Sequence, residues 1–421
     1  MEQSAPRVVE ADRSQLELRP FDLDSTIPQD HRARLVWRAV ETLDLSGFYD
    51  RIKSRVGTAG RPPGDPKVFV ALWLYATMDG VGAAREVERL CREHRAYRWI
   101  CGGVAVNYHT LSDFRVVHGA ALDDLLSQTL AVLMERKLVE VTRVAQDGLR
   151  VRASAGSGSF RRKKKLRQYL KEARAQVNAV KQLAEDAALN ARQKAARERA
   201  AREREQRVKG ALAALKEVES KRKTEYTGGG RKAKGEPRGS TTDPEARKMR
   251  MANGGFSPGY NVQFATDAAQ GVIVGVRVTN NGSDSGQAPP MLEQIEQRTG
   301  RRPTDYLVDA AYTDKASVDA LAAMDVTLYG SVPERDGKDP FQPQITDSAA
   351  VSAWRTRMGT AAAKEIYKQR APTSERVNAD VRTYRTMDRM LVRGAGKVLC
   401  VALWNALALN LMRWFALASS S

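Results

Sequence analysis

The chain has 421 residues, enough to bury a large core in two or three domains. Its formal net charge is +19 with a pI near 9.9, which makes a polyanion the expected partner. Cys91, Cys101 and Cys400 form no CxxC pair, and His31, His94, His109 and His118 show no ligand spacing, so a disulfide framework and a zinc site are both excluded.

Residues 1–20 read as a disordered tail. The run MEQSAPRVVEADRSQ lacks the apolar stretch of a secretory signal, so a cytoplasmic location is expected. Residues 21–138 read as an all-helical domain, with one helix after Pro28. GRPPGDPKVFVALWLYATMDGVGAAREVERLCREH carries two more, reached through a stiff loop from Gly60 to Pro66 and separated by a turn at Asp79-Gly80. Another helix is expected after Thr110. Arg85, Arg89, Arg92, Arg95 and Arg98 recur along one stretch, which suits a helix-turn-helix-like DNA binder with Arg85 and Arg89 among its contacts. An ordinary helical domain with solvated arginines fits equally well.

From Val141 the pattern becomes α/β. VTRVAQDGLRVRAS predicts a strand, and further strands are expected only from Tyr260, where GYNVQFATD and GVIVGVRVTN form a hairpin about Ala268 to Gly271. A helix from about Pro289 to Arg298, the strand TDYLVD, the helix DKASVDALAAM, the strand VTLYGSV and a final helix follow. This is the order of a ribonuclease-H-like domain, here residues 139–160 and 241–418, split by a long insertion. The apolar run from Val398 to Ala418 is interrupted by Asn405, Asn410 and Arg413, and reads as a core helix rather than a membrane span.

The insertion, residues 161–240, holds 25 lysines and arginines against 10 aspartates and glutamates, a net +15. No Gly or Pro occurs from Arg161 to Val208, and strong helix formers dominate. Leu166, Leu170, Ala173, Val177, Val180, Ala184, Ala187 and Ala191 form a heptad seam; Val208, Ala211, Leu215 and Val218 form a second. One long helix and an antiparallel hairpin bending near Asn190 both fit, followed by a flexible basic loop, TGGGRKAKGEPRGS. A solvated coiled coil is the plain reading. The charge excess favours contact with DNA phosphates, with Lys163, Lys164 and Lys165 as candidates.

Three acids stand out. Asp147 lies in the first α/β strand, Asp309 closes TDYLVD where an alanine-rich helix begins, and Glu375 follows Ala371-Pro372 in the expected first turn of a helix. Singly they read as a turn residue, an N-cap and a first-turn acid. Together, at element ends of one sheet, they match the oxygen ligands that two Mg²⁺ ions (or Mn²⁺) require when set about 3.5–4 Å apart across a phosphodiester. Asp314 with Lys315 reads as a capping pair. Asp243, Asp267, Asp305 and Glu334 rank below the three. Trp73, Trp99 and Trp354 could stack on an extruded base, with core packing as the default.

The stretches VAQDGLRVRAS, LVDAAYTDK and YKQRAPTSERVNADVR resemble, in order, the three motifs of DDE transposases of bacterial insertion sequences, in the branch with a tyrosine–arginine–glutamate–lysine signature. GRPPGDPKVFVALWLYATMDG and STTDPEARKMRMANGGFSPGYNVQFATD are similar to the helical N-terminal and post-insertion segments of one group in that branch. The resemblance implies that Asp147, Asp309 and Glu375 are catalytic and metal-binding, and that Tyr367 and Arg370 hold DNA. Arg382 stands where the signature has lysine, seven residues after Glu375; it keeps the charge but presents a planar fork. The implied activity is binding of terminal inverted repeats and Mg²⁺-dependent cleavage and transfer of double-stranded DNA. A homodimer is expected in the active complex, on the bacterial nucleoid, with no membrane and no small-molecule cofactor. The alternative is a catalytically inactive DNA-binding regulator derived from such an enzyme.

Overall fold

The computed structural model describes residues 22–54, 62–182, 190–227, 235–334 and 339–418, with Ser14 and Gly337. The expected tail (apart from Ser14), Gly60, Arg61, the seam positions Ala184 and Ala187 and residues 228–234 of the basic loop lie outside the described residues. The N-terminal region is helical: α1 (Arg32–Glu41), α2 (Ser46–Tyr49), α3 (Pro66–Met78), α4 (Ala84–Glu93), α5 (Arg95–Cys101), α6 (Tyr108–Val117) and α7 (Gly119–Glu135). Asp65 caps α3 by accepting from the Lys67 N–H at 2.9 Å, and Pro66 occupies the first position, where its missing N–H costs nothing. Twelve of the thirteen α3 residues are buried, so this helix is the axle of the helical region. It stops at Asp79-Gly80. Gly80 has φ +73° and lies against the Tyr384 carbonyl, where a side chain would collide. Helix α6 begins at Tyr108, earlier than the expected start after Thr110, because the Asn107 side chain accepts from the Thr110 N–H at 2.9 Å.

After β1 (Arg143–Arg152) come β2 (Phe160–Arg162), α8 (Lys163–Gln182), α9 (Ala191–Thr227), β3 (Arg238–Ser240), β4 (Arg247–Arg250), β5 (Phe256–Asp267) and β6 (Ile273–Thr279). The chain ends with α10 (Ala288–Thr299), β7 (Asp305–Leu307), α11 (Lys315–Ala322), β8 (Thr327–Tyr329), α12 (Ala349–Gly359), α13 (Ala361–Lys368), α14 (Arg370–Thr383) and α15 (Ala395–Ala418). The main sheet has the order β4-β5-β1-β7-β8, and β6 also pairs with β5. β5 is antiparallel to β1 and β6, whereas β1, β7 and β8 are parallel. Strands therefore resume before Tyr260: β2 and β3 pair as a ribbon at the foot of the insertion, and β4 pairs with the start of β5.

The insertion is a hairpin of antiparallel helices, the second of the two forms the sequence allows. Asn190 accepts from the Gln193 N–H at 2.9 Å and starts α9. Leu166, Ala173 and Val177 of α8 and Ala201, Val208, Ala211 and Leu215 of α9 are buried in it. Ion pairs Lys163–Glu219 (2.8 Å), Arg174–Glu205 (3.5 Å) and Arg204–Glu172 (3.9 Å) fix the register along its length.

Helix α15 is long and apolar enough to cross a membrane, yet most of it is buried against α3, α6, α7 and β6. Each of its polar interruptions makes a hydrogen bond, while the buried Asn405 Oδ1 has no donor among the described residues. Asn410 bonds both backbone groups of Ile273 at 2.8 Å, Asn405 donates to the Val401 carbonyl, and Arg413 donates to the Gln270 carbonyl. Trp404 is fully buried and donates to the Arg115 carbonyl at 3.0 Å. One hydrophobic core thus runs from the helical region through α15 into the sheet.

Candidate active site

β1 and β7 are parallel, with Ala145 opposite Leu307 as the last shared pair. Asp147 and Asp309 each lie two residues further on. Side chains two apart share a face, and adjacent strands are about 4.8 Å apart, so the two carboxylates leave neighbouring strands together. This is the carboxyl end of parallel strands, where open α/β sheets form their ligand crevices. Asp147 is the fifth of ten β1 residues rather than a strand end, because antiparallel β5 pairs with β1 beyond the reach of β7. The alanine-rich helix does not start at Asp309. Asp309 instead caps a single 3₁₀ turn, Ala310–Tyr312, accepting from the Ala311 N–H at 2.8 Å, and α11 starts at Lys315 with Asp314 as its cap.

Helix α14 lies alongside β1. Its leading residue Gln369 accepts from Arg143 at 2.8 Å, and nine residues later Asn378 donates from Nδ2 to Asp147 Oδ2 at 3.0 Å. Nine residues of helix and four of strand both span about 13 Å, so the two elements run in step. Glu375 falls in the second turn of α14, not the first, because the helix already begins at Arg370. It is one turn before Asn378, its side chain is 68 % exposed, and its ion partner is Arg370 at 3.9 Å. Arg370 also lies over the Tyr367 ring, whose hydroxyl meets Ser331 Oγ at 3.0 Å.

Burial pushes the Asp147 carboxyl up to about 6. The Gly148 N–H, bonded to Oδ1 at 2.8 Å, opposes that rise; the negative charge of Asp309 adds to it, Arg370 opposes it, and Asp284 adds to it. Asp147 therefore feels Asp309 and Arg370 directly, while Glu375 joins the group through Arg370. No three His, Cys, Asp or Glu side chains among the described residues are clustered closely enough to share one ion. The donors at Asp147 and Asp309 are nonetheless hard oxygens, and Asp147 is desolvated and raised further by the charge of Asp309, which is the chemistry that suits Mg²⁺ or Mn²⁺. Beside them the Asn378 Oδ1 is buried with no donor among the described residues.

Behind Asp147, on the opposite face of the sheet, is a buried polar network that the sequence did not reveal. Gln146 Nε2 donates to Gln263 Oε1 at 2.7 Å, Tyr306 donates to Gln146 Oε1 at 2.6 Å, and Tyr312 also donates to Gln263. Gln263 and Asn261 donate to Asp284 Oδ1 at 2.7 and 2.6 Å, and Arg150 reaches its Oδ2 at 3.0 Å. Gly148 is required here: a Cβ would come within 2.5–2.7 Å of Asp284, Gln263 and Asn261. Tyr312 ties the turn capped by Asp309 to Gln263 of β5, whose Oε1 also accepts from Gln146, the neighbour of Asp147 on β1.

The other expected contacts are dispersed. Arg382 lies in the last turn of α14. Arg85 covers the Tyr108 ring, and Arg89 is ion-paired to Glu86 and Glu93. Lys163, Lys164 and Lys165 open α8, with Lys163 engaged by Glu219 and Lys165 by Gln168. Trp73 and Trp354 are core residues, and Trp99 donates to Asp24 at 3.0 Å. Among the competing carboxylates, Asp305 pairs with Arg143, Asp243 accepts from Tyr260, and Asp267 caps the β5–β6 turn.

Two family models match the chain: one described as "Transposase domain (DUF772)" over residues 21–116, the other as "Transposase DDE domain" over residues 229–411. No curated protein and no solved structure matches it. The second match contains Asp309 and Glu375; Asp147 falls between the two. With a helical transposase domain leading a DDE domain in one chain, the protein belongs to the DDE-type transposases.

Proposed function

We propose that the chain is the transposase of a bacterial insertion sequence, in the tyrosine–arginine–glutamate–lysine branch, and that it cuts element ends and joins them to target DNA. The observation that carries this reading is the register of β1 and β7, in which Asp147 and Asp309 each follow the last shared pair by two residues, with Asp147 desolvated and raised by the charge of Asp309. The strand order, in which β1 has an antiparallel neighbour on one side and two parallel strands on the other, supports a ribonuclease-H-like catalytic domain over 139–160 and 241–418. The buried seam between α8 and α9 supports a coiled-coil insertion over 161–240, and the helices of 21–138 form the DNA-reading domain.

Asp147, Asp309 and Glu375 would hold the divalent cations, two Mg²⁺ ions or Mn²⁺ in their place. Bound there, such ions supply positive charge to the attacking and leaving oxygens of the phosphodiester. Arg370, Tyr367 and Arg382 hold phosphates of the terminal nucleotides, and the insertion follows the DNA backbone with its lysines and arginines. Two ends must be joined, so a homodimer acts on double-stranded DNA in the cytoplasm.

Purified protein, Mg²⁺ and a labelled duplex carrying one element end test this reading. Nicked and joined products are expected, and Asp147→Asn and Asp309→Asn should each reduce cleavage at least about a hundredfold with end binding retained. Undiminished cleavage by either variant overturns the assignment. The exposure of Glu375 and its pairing with Arg370 favour one second reading, a DNA-binding regulator without catalysis. Tight end binding by the wild-type chain with no nick under any divalent cation would establish that reading instead.

A further inference from the structure

We propose that Asn378 is a positioning residue of this site: its Nδ2 orients Asp147, and its buried Oδ1 is reserved for an O–H donor in the hydration shell of a divalent cation. The inference rests on Asp147 and Asp309 being cation ligands. A side-chain amide offers two N–H donors and an acceptor oxygen. The bond from Nδ2 to Asp147 Oδ2 at 3.0 Å fixes which end is which, since the reverse orientation would press two acceptors together. That leaves Oδ1 buried beside an anion with no donor among the described residues.

A buried acceptor without a partner is costly and rare in folded proteins, and needs a reason. The neighbouring cationic group, Arg370, is turned to Glu375 and Tyr367. The helix cannot readily turn the amide towards solvent either, because Ser374, Val377 and Val381 anchor the same side of α14 in the core. The oxygen and nitrogen of one amide share a carbon, so Oδ1 stays next to the Asp147 carboxylate whichever oxygen of Asp147 a cation takes. Water on such a cation is the missing donor. Partners in this outer position orient the ligands of a metal and tune its affinity.

Mn²⁺ alone, titrated into the full-length protein and followed by loss of the free-ion resonance, reads the proposal without any DNA or turnover. Asn378→Leu, which keeps the branched shape but has neither polar group, should weaken Mn²⁺ binding about ten- to a hundredfold. Asn378→Asp, which keeps an oxygen towards the hydration shell and adds charge but loses the donor to Asp147, should bind more tightly than Asn378→Leu. Asp147→Asn should lose the site. If Asn378→Leu binds like wild type while Asp147→Asn does not, the role of Asn378 is wrong and the cation site stands. If Asn378→Leu and Asn378→Asp lose Mn²⁺ equally and both melt early, Asn378 is merely structural and the proposal is overturned. If wild type binds no Mn²⁺, or Asp147→Asn binds it unchanged, the cation reading fails and this inference with it.

Discussion

Replacing Asp147 with Asn should stabilise the protein at neutral pH while removing cleavage. The folded-state value of about 6 lies above the ordinary 3.8, so the folded chain holds this proton more tightly than the unfolded chain does. Below about pH 4 the carboxyl is neutral in both states and costs nothing. Between about pH 4 and 6 the cost of keeping it ionised grows, and above that it levels off at about 3 kcal/mol, from a gap of about two pH units. The neutral amide of the Asp147→Asn variant would escape this cost. Its carbonyl oxygen still accepts the Gly148 N–H, and its own N–H can serve the Asn378 oxygen. For a chain of this length the unfolding entropy is about 0.9 kcal/mol per degree, so the variant should melt about 3 °C higher at pH 7.5 in chelator. Thermal unfolding of both proteins at pH 4 and pH 7.5 measures it. A variant less stable than wild type at pH 7.5, or a difference that does not change with pH, would refute the reasoning.

Gly148→Ala places a methyl group against Asp284, Gln263 and Asn261 and should destabilise the fold by about 1–3 kcal/mol, read by chemical denaturation. Removing Arg370 takes away a positive charge that holds the Asp147 carboxyl down, so in Arg370→Ala the acid limb of the cleavage–pH profile should move to higher pH. An unmoved limb would separate Arg370 from Asp147. Replacing residues 163–235 with a short Gly/Ser linker should flatten the dependence of DNA affinity on salt, because fewer phosphates are contacted. An unchanged slope would mean that the insertion carries no such contacts.

The features legible in the sequence have long or periodic signals. β1 is a ten-residue strand with β-branched residues towards both ends, and the α8–α9 seam repeats over several heptads, which leaves one long helix and a hairpin both open; Asn190 caps the start of α9. The polar interruptions of the last helix also mark it as core. The missed strands β2, β3 and β4 have only three or four residues, too few to show alternation. Pro372 suggests a helix start, which puts Glu375 a turn too early. The helix begins two residues sooner, and Pro372 is tolerated there because first-turn N–H groups have no helical partner anyway. Asn378 and Asp284 carry no local signal at all. Asn378 meets Asp147 across 231 residues of chain, and Asp284 joins Asn261 and Gln263 from a loop that gives no hint of burial.

A crystal of the protein with Mn²⁺ and one element end, probed by anomalous scattering, would test the central assignment most directly. Mn²⁺ peaks in contact with Asp147 and Asp309, with Glu375 turned from Arg370 to share an ion, are the expected result. Ions bound elsewhere while those carboxylates stay bare would contradict it.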